Sequence, residues 1–197
     1  AHAPLAGRVA SVRTMLGAME MLKLGITSVL DDAFYVPAPN HDALDGVMQA
    51  YADSGMRATA TLDQPNVAET DKYPFLADIL PPHLRRRLDG APRLSGVDLL
   101  AHYEYLIGRW NGAEGGRLGA GVSCSAPQRV TSDYFAALGD LSRRHDLPFV
   151  VHILETKLQR VLGDVKYGRS LVRLVHDQKL RPPVLEPHVA TARRRRC

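Results

Sequence analysis

Two residues in this 197-residue chain stand where side chains could do chemistry: His152, inside the apolar run 149–154, and Glu155 immediately beyond it. Phe149, Val150, Val151, Ile153 and Leu154 are apolar and three of them are β-branched. The run therefore predicts a strand buried on both faces, as the strands of parallel sheets are. Alternation along a strand puts Val150, His152 and Leu154 on one face and Phe149, Val151 and Ile153 on the other. With helices over the second face, His152 points into the interior of a sheet or barrel. Glu155 then falls at the carboxyl end, where α/β folds gather their chemistry. Neutral imidazole is a common metal ligand, and a carboxylate beside a metal-bound water serves as a proton carrier. The same residues also fit a plainer account, a hydrogen-bonded core histidine followed by a surface glutamate. Taken alone, they favour it.

The elements that must position this pair alternate along the chain. Val9, Val12, Leu16, Met19 and Leu22 recur at helical spacing and predict an amphipathic helix over 8–23, with Gly25 as its stop. Residues 26–30 read as a strand ending at Asp31 and Asp32, which are expected to cap the loop that follows. A helix over 42–54 and a strand over 56–62 come next, with Asp63-Gln64-Pro65 at the strand's carboxyl end. Residues 66–92 carry prolines and charges with little periodicity, apart from short helices expected over 75–80 and 83–88. A connection this long inside a domain suits a lid. Ser95 and Asp98 form a capping-box-like start to a helix striped by Leu99, Tyr103, Leu106, Ile107 and Trp110. After Gly115-Gly116 a small-residue strand over 118–123 runs into the polar loop Cys124–Arg129. Thr131 or Ser132 then caps a helix carrying Phe135, Leu138 and Leu141. Strand and helix alternating in this way predict an α/β fold with a parallel sheet built from βαβ units.

Composition narrows the function classes. The formal charge of +4 is matched by the four consecutive arginines 193–196, so the rest of the chain is close to neutral and nucleic acid is not an expected partner. No apolar run approaches the roughly 20 residues needed to span a bilayer, and Ala1–Pro4 lack a signal-peptide pattern, so a cytoplasmic, membrane-free protein is expected. Cys124 and Cys197 make no disulfide framework, and Cys124 reads as a small buried residue. Gly115-Gly116 precedes a strand, whereas a dinucleotide-binding loop follows one, which argues against a Rossmann-type site.

The succession Gly25-Ile26-Thr27-Ser28-Val29 to Asp32, then Ser125-Ala126-Pro127-Gln128-Arg129, then His152-Ile153-Leu154-Glu155-Thr156 with Gln159, resembles the amidohydrolase superfamily. The most similar branch is that of the metal-dependent deaminases and chlorohydrolases. The resemblance implies part of a (β/α)8 TIM-type barrel, about strands 2 to 5 or 6, around one divalent metal, zinc or iron. It implies His152 as the fifth-strand metal ligand and Glu155 as the acid/base residue in hydrolysis of a C–N, or in relatives C–Cl, bond of a small heterocyclic substrate. Gln128 and Arg129 fall where such enzymes contact substrate, although capping of the next helix or pairing with Asp133 suits them equally. His188 lies near the distance expected of a sixth-strand ligand, but Pro187 makes its setting a poor strand. A full-length relative is expected to form a homo-oligomer.

This chain departs from that pattern. It contains no His-x-His, and no strand with a metal-binding aspartate follows residue 177. Residues 1–178 read as a partial barrel domain. Residues 179–197 read as an irregular basic tail, with an out-of-frame ending favoured over a true appendage. The expectation is a fragment of a metal-dependent hydrolase that is inactive alone and exposes unpaired strand edges. The competing expectation is a non-catalytic α/β binding module whose basic tail recruits an anionic partner.

Overall fold

A computed structural model describes residues 6–177 except Pro92. The order is α1 (Gly7–Lys23), β1 (Ser28–Ala33), α2 (His41–Ser54), β2 (Arg57–Leu62), α3 (Glu69–Lys72), α4 (Leu76–Ile79), α5 (Pro82–Asp89) and α6 (Gly96–Trp110). It continues with the single turn α7 (Ala113–Gly116), β3 (Leu118–Ala120), β4 (Val122–Cys124), α8 (Ser132–His145), β5 (Phe149–Val151), α9 (Lys157–Tyr167) and α10 (Leu171–Asp177). His188 and the basic tail lie outside the described residues. No helix among the described residues is long and apolar enough to cross a membrane.

Among the described residues all strand pairings are parallel. β1 pairs with β2 from Ser28↔Arg57 to Ala33↔Leu62, β2 with β3, and β4 with β5. β3 and β4 are one line of chain that changes partner at Gly121, where the sequence predicted a single strand. The Gly121 N–H still bonds Ala60 O at 2.9 Å, while the Val122 N–H turns to Pro148 O at 2.8 Å. A Cβ at Gly121 would lie 2.9 Å from Thr61 Cγ2, so a side chain there would push β4 off β2. Four strand lines thus follow one another in chain order.

Beyond the change of partner, β2 and β4 are joined by a side chain. The fully buried Tyr103 hydroxyl of α6 accepts the N–H groups of Leu62 (3.2 Å) and Ser123 (2.9 Å) and lies within donating distance of both carbonyls. Burial keeps its proton on, raising its pKa well above the usual tyrosine range.

The helix over 8–23 forms, but its apolar stripe is turned the other way from the expected one. Val9, Val12, Leu16, Met19 and Leu22 are exposed, Leu16 to 60%, whereas Gly7, Ala10, Thr14 and Ala18 are buried. The reason is close packing of α1 on α2. The Gly7 N–H bonds Asp42 Oδ2 at 2.5 Å, and a side chain at Gly46 would run into the Gly7 carbonyl. Small residues at three- and four-residue spacing let the backbones meet.

Other helix boundaries have readable causes. Asn40, Ser95, Thr131 and Thr156 cap α2, α6, α8 and α9 through their side chains, with a complete capping box at Ser95 and Asp98. Gly55 and Gly168 end α2 and α9 in the left-handed conformation.

A candidate metal centre at the strand ends

β1 does not stop before Asp31 and Asp32 but includes both, so they are strand residues and not loop caps. Alternation sends them apart. Asp31 accepts from Tyr51 Oη of α2 at 2.9 Å, on the helix side. Asp32 faces inward, where its Oδ1 accepts from Thr61 Oγ1 and its Oδ2 lies 2.7 Å from His152 Nε2. β5 ends at Val151, one residue before His152, so the histidine leads the loop and does not sit within the strand.

The Asp32–His152 contact joins the two outermost strand lines. On a flat sheet three spacings of about 4.8 Å would separate β1 from β5 by about 14 Å, too far for these side chains to meet. The array is therefore curved, with its interior on the Asp32 side.

Asp63, the first residue after β2, enters the same space. One ligand atom each from Asp32, Asp63 and His152 lie within 4.8 Å of one another. Asp63 Oδ1 is buried, and the Ser125 hydroxyl beside it is the group placed to donate to this carboxyl. Burial holds the Asp63 carboxyl above the usual carboxylate range; Asp32 pushes the same way, against the pull of Ser125, Arg129 and His152. One imidazole nitrogen and two carboxylates gathered within 4.8 Å suit a divalent cation such as zinc.

Glu155 borders this group. Its Oε1 lies 3.8 Å from His152 Nδ1, and its side chain is 57% exposed. Leu154, in the left-handed conformation at φ 59°, makes the turn that brings it there. Gln159, one turn into α9, accepts from the Glu155 N–H at 2.8 Å and donates to Glu155 Oε2 at 3.2 Å.

Fold comparison gives a first bearing. The chain superposes on the atrazine chlorohydrolase of Arthrobacter aurescens TC1 complexed with zinc, with a TM-score of 0.72 at 18% identity over 89% of this chain and 36% of that one. An adenosine deaminase from Xanthomonas campestris with bound zinc gives 0.65 at 18% identity, covering 89% and 33%. No family model matches the sequence. Sequence comparison points the same way. The chain is 29% identical over 164 residues to a 5-methylthioadenosine/S-adenosylhomocysteine deaminase of Symbiobacterium thermophilum, 83% of this chain and 30% of the relative. It is 23% identical over 176 residues to a 5'-deoxyadenosine deaminase of Methanosarcina barkeri, 89% and 34%.

These relatives support the resemblance to the amidohydrolase superfamily.

The chain spans about a third of the length of these curated relatives. Within this segment, the residues expected to form a site separate into two groups. His152 and Glu155 meet at the mouth of the curved array. Gln128 is buried in the turn Pro127–Arg129 with its Oε1 unpaired, and its backbone carbonyl accepts from Lys166 Nζ of α9 at 3.4 Å. Arg129 is half-buried with an unpaired Nε, and its charge is felt at Asp63. Neither residue bonds Asp133 among the described residues, and the α8 cap is Thr131. Cys124 is fully buried and burial pushes its thiol up, as expected of a packing residue. Sequence reasoning missed Asp32 and Asp63 as members of the site. The available signal was an acidic residue at the carboxyl end of each of two successive predicted strands.

Proposed function

We propose that this chain is a section of a metal-dependent hydrolase barrel, about strands 2 to 5, that cleaves a C–N bond of a small heterocyclic substrate. Its relatives' names point to a purine nucleoside. Residues 1–178 would be the barrel segment and 179–197 a separate tail. The observation that carries the reading is the convergence of Asp32, Asp63 and His152 at the mouth of a curved parallel array, with Glu155 at its border.

Asp32, Asp63 and His152 would hold the ion. Bound there, a divalent metal supplies Lewis acidity and lowers the pKa of water toward about 7. Glu155 is the group to carry a proton between water and the leaving amine, because it is both open to solvent and held in place by Gln159. Arg129 offers a guanidinium beside the carboxylates, suited to orienting a polar edge of the substrate. Gln128 supports that loop from beneath, with its amide available to the same purpose. Thr61, by donating to Asp32, fixes the carboxylate's second oxygen and leaves Oδ2 turned to His152.

The isolated chain is expected to bind zinc with an occupancy below one per chain and to show no deaminase turnover, because the His-x-His pair is not in the sequence. Titration with zinc, read by calorimetry, tests this. Binding lost in both His152→Ala and Asp32→Ala supports the site, whereas stoichiometric zinc with turnover would sink the fragment reading.

A further inference from the structure

A second polar cavity, of about 100 Å³, lies between the loop after β1 and the connection from β2 to α6. Its walls include Phe34, Leu88 and Leu99, and its polar members are Gln64, Glu69, Lys72 and Arg93. None of Asp32, Asp63, His152 or Glu155 lines it. Gln64 follows Asp63 in the chain yet turns away from the metal centre.

Two of its side chains are poorly provided for. Lys72 is only 2% exposed, and its ammonium pairs with Glu69, which is itself 42% exposed. Gln64 is 5% exposed, and its amide Nε2 has no hydrogen-bond partner among the described residues. Burying an ammonium with one partner and an amide donor with none costs free energy that an acceptor between them would recover. Arg93 completes the wall, with Nη1 held by Asp89 O at 2.8 Å and Ala91 O at 3.4 Å and its other N–H groups left over.

We propose that this cavity is a binding site for a small monocarboxylate, received by Gln64, Lys72 and Arg93. Two cations and one carboxylate leave a single net positive charge, which one carboxylate balances. A dianionic phosphate would overfill it against Glu69. The apolar wall of Phe34, Leu88 and Leu99 suits a short aliphatic tail. Lys72 and Glu69 belong to α3, and Arg93 follows α5, so an occupant would tie the long connection to the end of β2. The inference does not depend on the hydrolase reading, since the two sites share no residue.

The test uses the full chain with acetate and propionate as probes, against chloride and inorganic phosphate at matched ionic strength. Saturation-transfer NMR reads binding and the thermal midpoint reads linkage. Saturable binding of both carboxylates is expected, weakened about tenfold in Gln64→Leu and severalfold in Arg93→Ala. Arg93 is exposed, so that variant keeps the test open should Lys72→Met or Gln64→Leu fail to fold. A cavity holding water only gives no saturable signal beyond chloride and overturns the proposal. So do equal affinities in wild type and Arg93→Ala, or phosphate binding more tightly than acetate.

Discussion

His152 Nε2 and Asp32 Oδ2 lie 2.7 Å apart although 120 residues separate them in the chain. The bond closes the mouth of the array from its first strand line to its last. The other ring nitrogen, Nδ1, faces Glu155 Oε1 at 3.8 Å, so the imidazole is oriented by a carboxylate on each side. Replacing Asp32 by Asn keeps the shape and removes the charge. Zinc affinity is expected to fall about 10–100-fold in Asp32→Asn, read by competition with a chromophoric chelator. An unchanged affinity would place the ion elsewhere.

Gln159 bonds both the backbone N–H and the carboxylate of Glu155. Leucine at 159 removes both bonds and is expected to lower stability by about 1–2 kcal/mol. In a full-length enzyme carrying this segment, kcat should drop with little change in KM, because the carboxylate would be present but unplaced. Equal losses in both parameters would mean that Gln159 serves folding only.

Tyr103→Phe leaves two N–H groups and two carbonyls without their shared hydroxyl in a buried strand junction. A destabilisation of about 3 kcal/mol is expected from urea unfolding. A loss below about 1 kcal/mol would show that the two strands re-pair directly.

The outward stripe of α1 makes a different prediction. Leu16→Glu and Val12→Glu change exposed side chains, so stability should move by no more than about 0.5 kcal/mol, while light scattering on standing should decrease. A large fall in the thermal midpoint would mean that the stripe is packed.

His102 provides a pH dependence. Burial, with His41 beside it, holds its pKa below the usual histidine value of 6.5, against the pull of Asp98. His41 in turn stacks on Tyr105 with ring centroids 3.7 Å apart and meets His102 edge-on at 5.1 Å. A lowered folded-state pKa means that the unfolded chain takes up the proton first. The stability contribution is therefore present above about pH 6.5 and is lost as pH falls below that value through the folded-state pKa. Chemical denaturation across this range should show a shallower acid limb in His102→Gln than in wild type. Identical limbs would assign the acid loss to other groups.

Element types were legible in the sequence because periodicity and capping agree locally. The Ser95–Asp98 box and the runs over 42–54 and 56–62 needed no tertiary information. The face of α1 was misread, because apolar count normally decides which side is buried. Here Gly7 and Gly46 allow a backbone approach that no count reveals. The break of one strand at Gly121 was hidden for the same kind of reason, since it depends on which neighbour offers a carbonyl. In the site, His152 and Glu155 stood out as polar residues beside an apolar run. Asp32 did not, because a one- or two-residue error in the end of a strand turns an inward ligand into a loop cap.

The Tyr103 hydroxyl has one proton to offer and two carbonyls that could take it. It also shelters one amide on each of two strands that share no ladder at that level. Those amides, Leu62 and Ser123, therefore have a common fate. Any excursion that withdraws the ring opens both to solvent at once, so their hydrogen-exchange rates should rise and fall together, coupling two distant stretches of chain through a single atom.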